Sequence, residues 1–233
     1  MVTPVSPPDI FSPVVSAVAV TFDADGPSEP FADSQRIPLP EALARAVDKR
    51  KREFLAGRWC AREALRRLGL RETGDVAIGP DRGPVWPDGV TGAITHSHGY
   101  ACAAVARDRD LLGLGIDSES VRAIKSVREI HDMVLSPGER DRVLAGLASR
   151  VGEDTAVIAA FSAKESLYKC LAPAGHSRLG FGDVELTELD IDGRRFAIRL
   201  ARTMGSLTPA HVFRGRWAVS SGFVHTAVEW PRP

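Results

Sequence analysis

Helix-length stretches in this chain are followed by groups of strand-length apolar runs, and that order occurs twice. Such a pattern restricts the fold to an α+β class. Residues 14–22 form the first strand candidate, closed by the turn-like Asp23-Ala-Asp-Gly-Pro27. Pro38 and Pro40 then introduce a helical stretch over 41–68, stopped by Gly69, with Phe54, Ala61, Leu65 and Leu68 at helical spacing. Strands are expected at 92–96, 102–106 and 112–117. Helices at 126–148 and 154–171 follow, the latter closed by Pro173 and Gly175. The chain ends in strand runs at 184–189, 196–200, 216–220 and 223–228. Residues 1–13, with four prolines, read as an extended arm, and 78–89 as a loop too rich in Gly and Pro for regular structure. The two halves join near Leu114, giving subdomains 1–114 and 115–233 without a low-complexity linker or a strong internal repeat.

Composition narrows the function classes. With 233 residues, 44% hydrophobic and 26% charged, the chain buries a core of globular size. Thirty basic residues balance thirty acidic ones, so no global charge draws it to nucleic acid or membrane. Cys60, Cys102 and Cys170 form no CxxC pair, which argues against a disulfide framework and for a reducing compartment. The first basic residue is Arg36, and the 14–22 run is far shorter than the ~20 residues of a spanning helix. A cytoplasmic protein is expected. Arg supplies 25 of the 30 basic residues. Lys164 and Lys169, two of only five lysines, fall within six residues and demand a reason.

Five segments carry candidate chemistry. In Gly113-Leu-Gly-Ile-Asp117-Ser-Glu119, the two acids stand on one face of a strand roughly 6–7 Å apart at their backbones. A divalent cation would offset their repulsion; a solvated strand end is the alternative. In Phe161-Ser-Ala-Lys164-Glu165-Ser-Leu-Tyr168-Lys169, Phe161, Glu165 and Lys169 share a helix face. That pattern fits either a surface Glu–Lys pair, or a third metal acid with an ammonium for a phosphate. Between Arg45 and Arg71 lie ten basic residues against three acidic ones, and Arg50 and Arg58 are placed to reach one polyanion. His96, in Thr95-His96-Ser97-His98, is a phosphate donor or a structural strand-end group, and His98 a solvated turn residue. The loop Gly79-Pro80-Asp81-Arg82 offers backbone N–H groups and a guanidinium to an anion.

In this order the segments resemble the 4′-phosphopantetheinyl transferase superfamily, in its monomeric Sfp-type branch. The resemblance runs from about Arg50 to Leu179. It rests on Arg50-x7-Arg58 with Phe54 between, Gly83-Pro-Val-Trp86-Pro87, Thr95-His96-Ser97, Gly115-Ile-Asp117-x-Glu119 and Phe161-x-x-Lys164-Glu165-x-x-x-Lys169. It implies two similar α/β subdomains related by a pseudo-twofold, with the ligand cleft between them. It implies transfer of the 4′-phosphopantetheine of coenzyme A to a serine of an apo acyl or peptidyl carrier protein, with release of 3′,5′-ADP. Asp117, Glu119 and Glu165 are then the Mg²⁺ site (Mn²⁺ as an alternative ion), with the Ser118 carbonyl or a water as a further ligand. Glu165 is also the candidate base, and Lys169 holds the phosphate that stays with the pantetheine arm. Arg50 and Arg58 clamp the adenosine 3′-phosphate and His96 assists. Gly79, Pro80, Asp81 and Arg82 line the adenine region, Thr95 lies beside the pyrophosphate, and Leu179 lines the exit of the arm. The implied setting is fatty-acid, polyketide or nonribosomal peptide biosynthesis. The competing reading is a non-catalytic coenzyme A-binding regulatory protein. A nucleic-acid face on the basic helix is opposed by the zero net charge and 6% aromatic content.

Overall fold

The structure is a computed structural model that describes residues 2–26, 37–70, 74–79, 82–122, 127–175 and 179–232, with 127–129 and 143–145 described as backbone alone. The chain divides into two compact units. The first comprises Met1–Pro7 and Ser12–Leu112, the second Pro8–Phe11 and Gly113–Pro233. The first combines a four-stranded sheet and a small two-stranded one with a long helix, the second a five-stranded sheet with several helices, so the fold is α+β. Among the described residues, no helix is long and apolar enough to cross a membrane.

In the first unit, strands β1 (Val2–Val5), β2 (Ser16–Phe22), β5 (Val90–Ser97) and β6 (Tyr100–Arg107) form an antiparallel sheet in the order β1-β2-β6-β5. Val2–Val5 of the expected extended N-terminal arm therefore pair as a strand, while residues 6–13 do not. Pro4 fits there because β1 is an edge strand, where a missing N–H removes no interior ladder bond. The expected 78–89 loop also contains strand: β3 (Ala77–Ile78) and β4 (Pro84–Val85) pair as a small hairpin. It is closed by the Gly79 N–H bond to the Gly83 carbonyl at 2.8 Å. Because β1 and β2 precede the helix, the first unit departs from a simple helices-then-strands order.

Helix α1 spans Asp48–Arg67, while only a 3-10 turn, Glu41–Leu43, occupies the start of the expected 41–68 helix. That turn buries no residue, and without a face against the core so short a segment gains little from helix formation. α1 instead begins where its buried side begins, and Leu55, Ala56, Cys60, Ala61, Ala64 and Leu65 pack on Val18, Val20, Ala101, Ala103 and Val105. At its end, Gly69 (φ +90) and Leu70 donate to the Arg66 and Leu65 carbonyls, a Schellman stop.

The second unit carries β7 (Leu111–Ser120), β8 (Val184–Asp190), β9 (Arg195–Leu200), β10 (Val212–Ser220) and β11 (Phe223–Pro231), ordered β7-β11-β10-β9-β8. The expected single helix 126–148 is broken into α2 (Val127–Val134) and α3 (Pro137–Val143), continued by a π turn and a short helical turn to Val151. Pro137 forces the break, since the residue before proline is pushed out of the helical region. Ser136 and Glu139 then restart the helix as a capping box: Ser136 N–H donates to Glu139 Oε2 at 2.8 Å, and Glu139 N–H to Ser136 Oγ at 3.4 Å. α4, Glu153–Leu171, buries Ala156, Val157, Ile158, Ala163, Leu167 and Leu171 in a core shared with Leu186, Phe196, Ile198, Trp217, Val224 and Val228.

Candidate active site

Residues 113, 115, 117 and 119 of β7 project from one face of the strand. On that face α4 comes down onto bare backbone. A Cβ at Gly113 would lie 2.4 Å from the Cys170 carbonyl oxygen, and one at Gly115 only 1.8 Å from that of Ser166. The two glycines thus set the approach of the helix, and Asp117, next along the same face, meets the side chains α4 presents. Its Oδ1 accepts from Lys169 Nζ at 2.8 Å, and Asp117 is 4% exposed. Glu165, one turn before Lys169, is half-buried. Burial and the Asp117 charge raise the Glu165 pKa, and Lys169 offsets part of that rise.

The structure therefore brings Asp117, Glu165 and Lys169 together. Glu119 shares their side of β7 but is not gathered with them: among the described residues, no three His, Cys, Asp or Glu side chains converge as a metal site. Ser118 points to the opposite face, where its Oγ lies 2.9 Å from His225 Nδ1, while His225 Nε2 is 3.1 Å from Ser220 Oγ. Burial lowers the His225 pKa to about 4, so the ring is neutral near pH 7. With its hydroxyl engaged there, Ser118 has only its main-chain carbonyl to offer a metal. The carboxylates fit Mg²⁺: they are hard oxygen donors, and the Asp117–Glu165 repulsion that raises Glu165 is what a divalent cation relieves. Leu179 packs at the margin of the second core beside Phe181, whose ring lies 5.7 Å from Phe161 and 5.6 Å from Tyr168.

The first unit gathers a second group. Phe54 and Arg58 are one turn apart on α1, and the guanidinium stacks 4.8 Å from the ring centroid. Arg58 is 7% exposed, and burial together with the Arg50 charge lowers its pKa to about 10. Arg58 Nη2 donates to the Ala77 carbonyl at 3.3 Å, and so reaches the β3–β4 hairpin that carries Gly79 and the exposed Arg82. Arg82 adopts φ +62 at the turn and donates its N–H to the Gly79 carbonyl. Pro80 and Asp81 lie outside the described residues. Arg50 Nη1 lies 3.1 Å from His96 Nε2, and Glu53 Oε2 sits 3.9 Å from Arg50 and 3.6 Å from His96. Gly57 lets β5 come this close, since a Cβ there would lie 2.7 Å from Ile94 Cγ2. Two guanidiniums are thus held near enough for the Arg50 charge to act on the buried Arg58, and guanidiniums are the side chains best suited to a phosphate. Thr95 is buried on the face of β5 opposite His96, and His98 is an exposed turn residue with φ +43.

Lys164 departs from its motif neighbours by pointing inward. It is 0% exposed, and its Nζ lies 2.7 Å from Glu139 Oε1 and 2.7, 3.3 and 3.4 Å from the Val134, Phe181 and Val184 carbonyls. Burial lowers its pKa and the Glu139 carboxylate opposes that shift. Sequence reasoning missed Glu139, although the Ser136-Pro-Gly-Glu139 spacing of a capping box was a usable signal. It also missed His225, for which a strand alternation pattern gives none.

The family described as 4′-phosphopantetheinyl transferase N-terminal domain matches residues 39–106, and the 4′-phosphopantetheinyl transferase superfamily matches residues 113–223. The chain is 40% identical over 228 residues to the 4′-phosphopantetheinyl transferase Svp of Streptomyces mobaraensis, covering 92% of this chain and 87% of that relative. It is 34% identical over 219 residues to the 4′-phosphopantetheinyl transferase PptT of Mycobacterium tuberculosis, covering 90% and 94%. It is also 32% identical over 209 residues to enterobactin synthase component D of Salmonella typhi, covering 90% and 83%. With matches along nearly its whole length and the motif residues assembled on both units, this chain belongs to the 4′-phosphopantetheinyl transferase superfamily.

Proposed function

We propose that this protein transfers the 4′-phosphopantetheine of coenzyme A to a serine of an apo acyl or peptidyl carrier protein, with Mg²⁺, and releases 3′,5′-ADP. The observation that carries this reading is the Asp117–Glu165–Lys169 group, two acids and an ammonium brought onto one face by the Gly113 and Gly115 approach. Asp117 and Glu165 would hold the ion with the Ser118 carbonyl, and Glu119, which this structure does not gather with them, would have to turn in from the same face of β7 to join. When bound, Mg²⁺ polarises the pyrophosphate and offsets charge on the departing oxygen.

The chain's own groups do the rest. Glu165 accepts the serine proton as the hydroxyl oxygen bonds to the β-phosphorus. The bond from that phosphorus to the bridging oxygen breaks, and the electron pair leaves on 3′,5′-ADP. Lys169 holds the phosphate that remains with the arm as a point charge. In the first unit, Arg50 and Arg58 clamp the 3′-phosphate, with His96 as a further donor, and the hairpin turn of Gly79 and Arg82 lines the adenine region. Thr95 serves the pyrophosphate, and Leu179 meets the departing pantetheine arm.

The direct test is the intact mass of an apo carrier after incubation with the protein, coenzyme A and Mg²⁺, beside an EDTA control. A gain of one phosphopantetheine, lost with EDTA, is the expected outcome. No gain on fatty-acid, polyketide and peptide-type carriers alike would refute the reading. Arg58→Ala is expected to raise the coenzyme A KM about tenfold or more, the loss of roughly 1.4 kcal/mol of charge-assisted binding, with kcat little changed. An unchanged KM would discard the clamp.

A further inference from the structure

Lys164 is a motif residue for which the transfer chemistry has no use, and its side chain is fully buried. Its ammonium is enclosed by acceptors from three separate segments: the Val134 carbonyl at the end of α2, Glu139 in the first turn of α3, and the Phe181 and Val184 carbonyls leading into β8. Glu139 is fixed just as closely, at 1% exposure, because Oε2 accepts from Ser136 N–H and Oε1 also accepts from Leu186 N–H at 2.6 Å.

Stability alone does not call for such a pair. Buried ion pairs forfeit hydration, and apolar residues of similar volume often serve as well or better. What apolar packing does not supply on the β7 side of α4 is a directional contact. Val157, Ile158, Leu167 and Leu171 anchor the helix in the second core, but toward β7 its backbone at Ser166 and Cys170 lies against bare glycine, and Ala156, Ala159, Ala160 and Ala163 add only small side chains to its buried surface. Small groups permit close approach but interdigitate little, so the rotation of α4 over β7 is less sharply specified than its place in the core. Hydrogen bonds from Lys164 are directional. Glu165 follows Lys164 by one residue, about 100° around the helix. Fixing Lys164 inward therefore fixes the direction of Glu165 over Asp117, and that of Lys169 one turn on.

We propose that Lys164 and Glu139 are a positioning pair, setting the rotation of α4 that aims Glu165 and Lys169 at Asp117. This rests on the transferase reading above, and wild-type activity on a carrier is the control that separates the two. The test is the double variant Lys164→Met/Glu139→Gln, which removes both charges at similar volume and keeps an acceptor at 139. It is expected to melt within a few degrees of wild type. Its kcat for carrier modification should fall about 10- to 100-fold, because a displacement near 1 Å of reacting groups costs up to that much. The coenzyme A KM should stay within about twofold, since the clamp on α1 is untouched.

A folded double variant with wild-type kcat would reduce the pair to a structural tie. A raised KM with unchanged kcat would make Lys164 a ligand contact instead, and either result overturns the proposal. Should the double variant fail to fold, Glu139→Gln alone retains Lys164 and the cap. It is expected to show the same selective loss of kcat in smaller degree, and an unchanged kcat there is equally fatal. A wild-type protein inert on every carrier removes the transferase reading, and the positioning role with it.

Discussion

Glu165→Gln is expected to remove turnover, lowering kcat by about 10³-fold or more, while the protein folds and melts at or above the wild-type temperature. The two halves of this result have separate causes. Turnover falls because one substitution removes both the group that takes the serine proton and an anionic oxygen for the ion. Stability does not fall, because the carboxylate it replaces is half-buried beside Asp117, and both circumstances raise its pKa. A carboxyl whose folded pKa lies above its unfolded value gives its fullest stability at low pH and loses it as pH rises through that range. At neutral pH the charged Glu165 is therefore a burden on the fold, and the neutral amide lifts it. Carrier mass spectrometry and a thermal melt check both halves. Near-normal turnover would dismiss Glu165 as base and ligand together. A large drop in melting temperature would show that its charge is structural.

Gly115→Ala should destabilise the protein by about 3 kcal/mol or more, the upper range for overpacking, because the new methyl meets main chain that has no rotamer to yield. The Cβ would stand 1.8 Å from the Ser166 carbonyl oxygen and 2.5 Å from the Cys170 nitrogen, so α4 itself must move. For a chain of this length that corresponds to a melting temperature lower by about 6–12 °C. Any protein that remains folded should also lose transfer activity, since the same displacement separates Lys169 from Asp117. Gly182→Ala is the control, because a Cβ there meets nothing within 4 Å, and its effect should lie within about 0.5 kcal/mol. If Gly115→Ala melts with the control, the glycine approach is not what sets the spacing.

These substitutions also separate what local pattern reveals from what it hides. The period of two in β7 and of 3.6 in α4 made Asp117, Glu119, Glu165 and Lys169 readable as candidates, because both periods are properties of the backbone. The strand runs of the second half were readable for the same reason, and observed strands extend them by a few residues. The breaks were less so. The continuous 41–68 helix fails where no core face exists to support its first residues, and the 126–148 helix fails at a Ser-Pro cap whose signal was present but unused. The β3–β4 hairpin and the β1 strand are pairings with distant or irregular partners, and a run as short as Ala77–Ile78 carries no period at all.

By itself the sequence determined the class of fold and the family, and it named the residues proposed to bind phosphate and metal. Those depend on residue type and on spacing along one element. Only the tertiary structure decided that Lys164 turns into the core toward Glu139 while Glu165 turns to Asp117, and that Ser118 is committed to His225 on the other face of β7. It also decided that Arg58 is buried against Phe54 and strained by Arg50. The physical reason is common to all three. The direction and charge state of a side chain are set by what lies across from it, and those neighbours come from segments tens of residues away, where no local period records them.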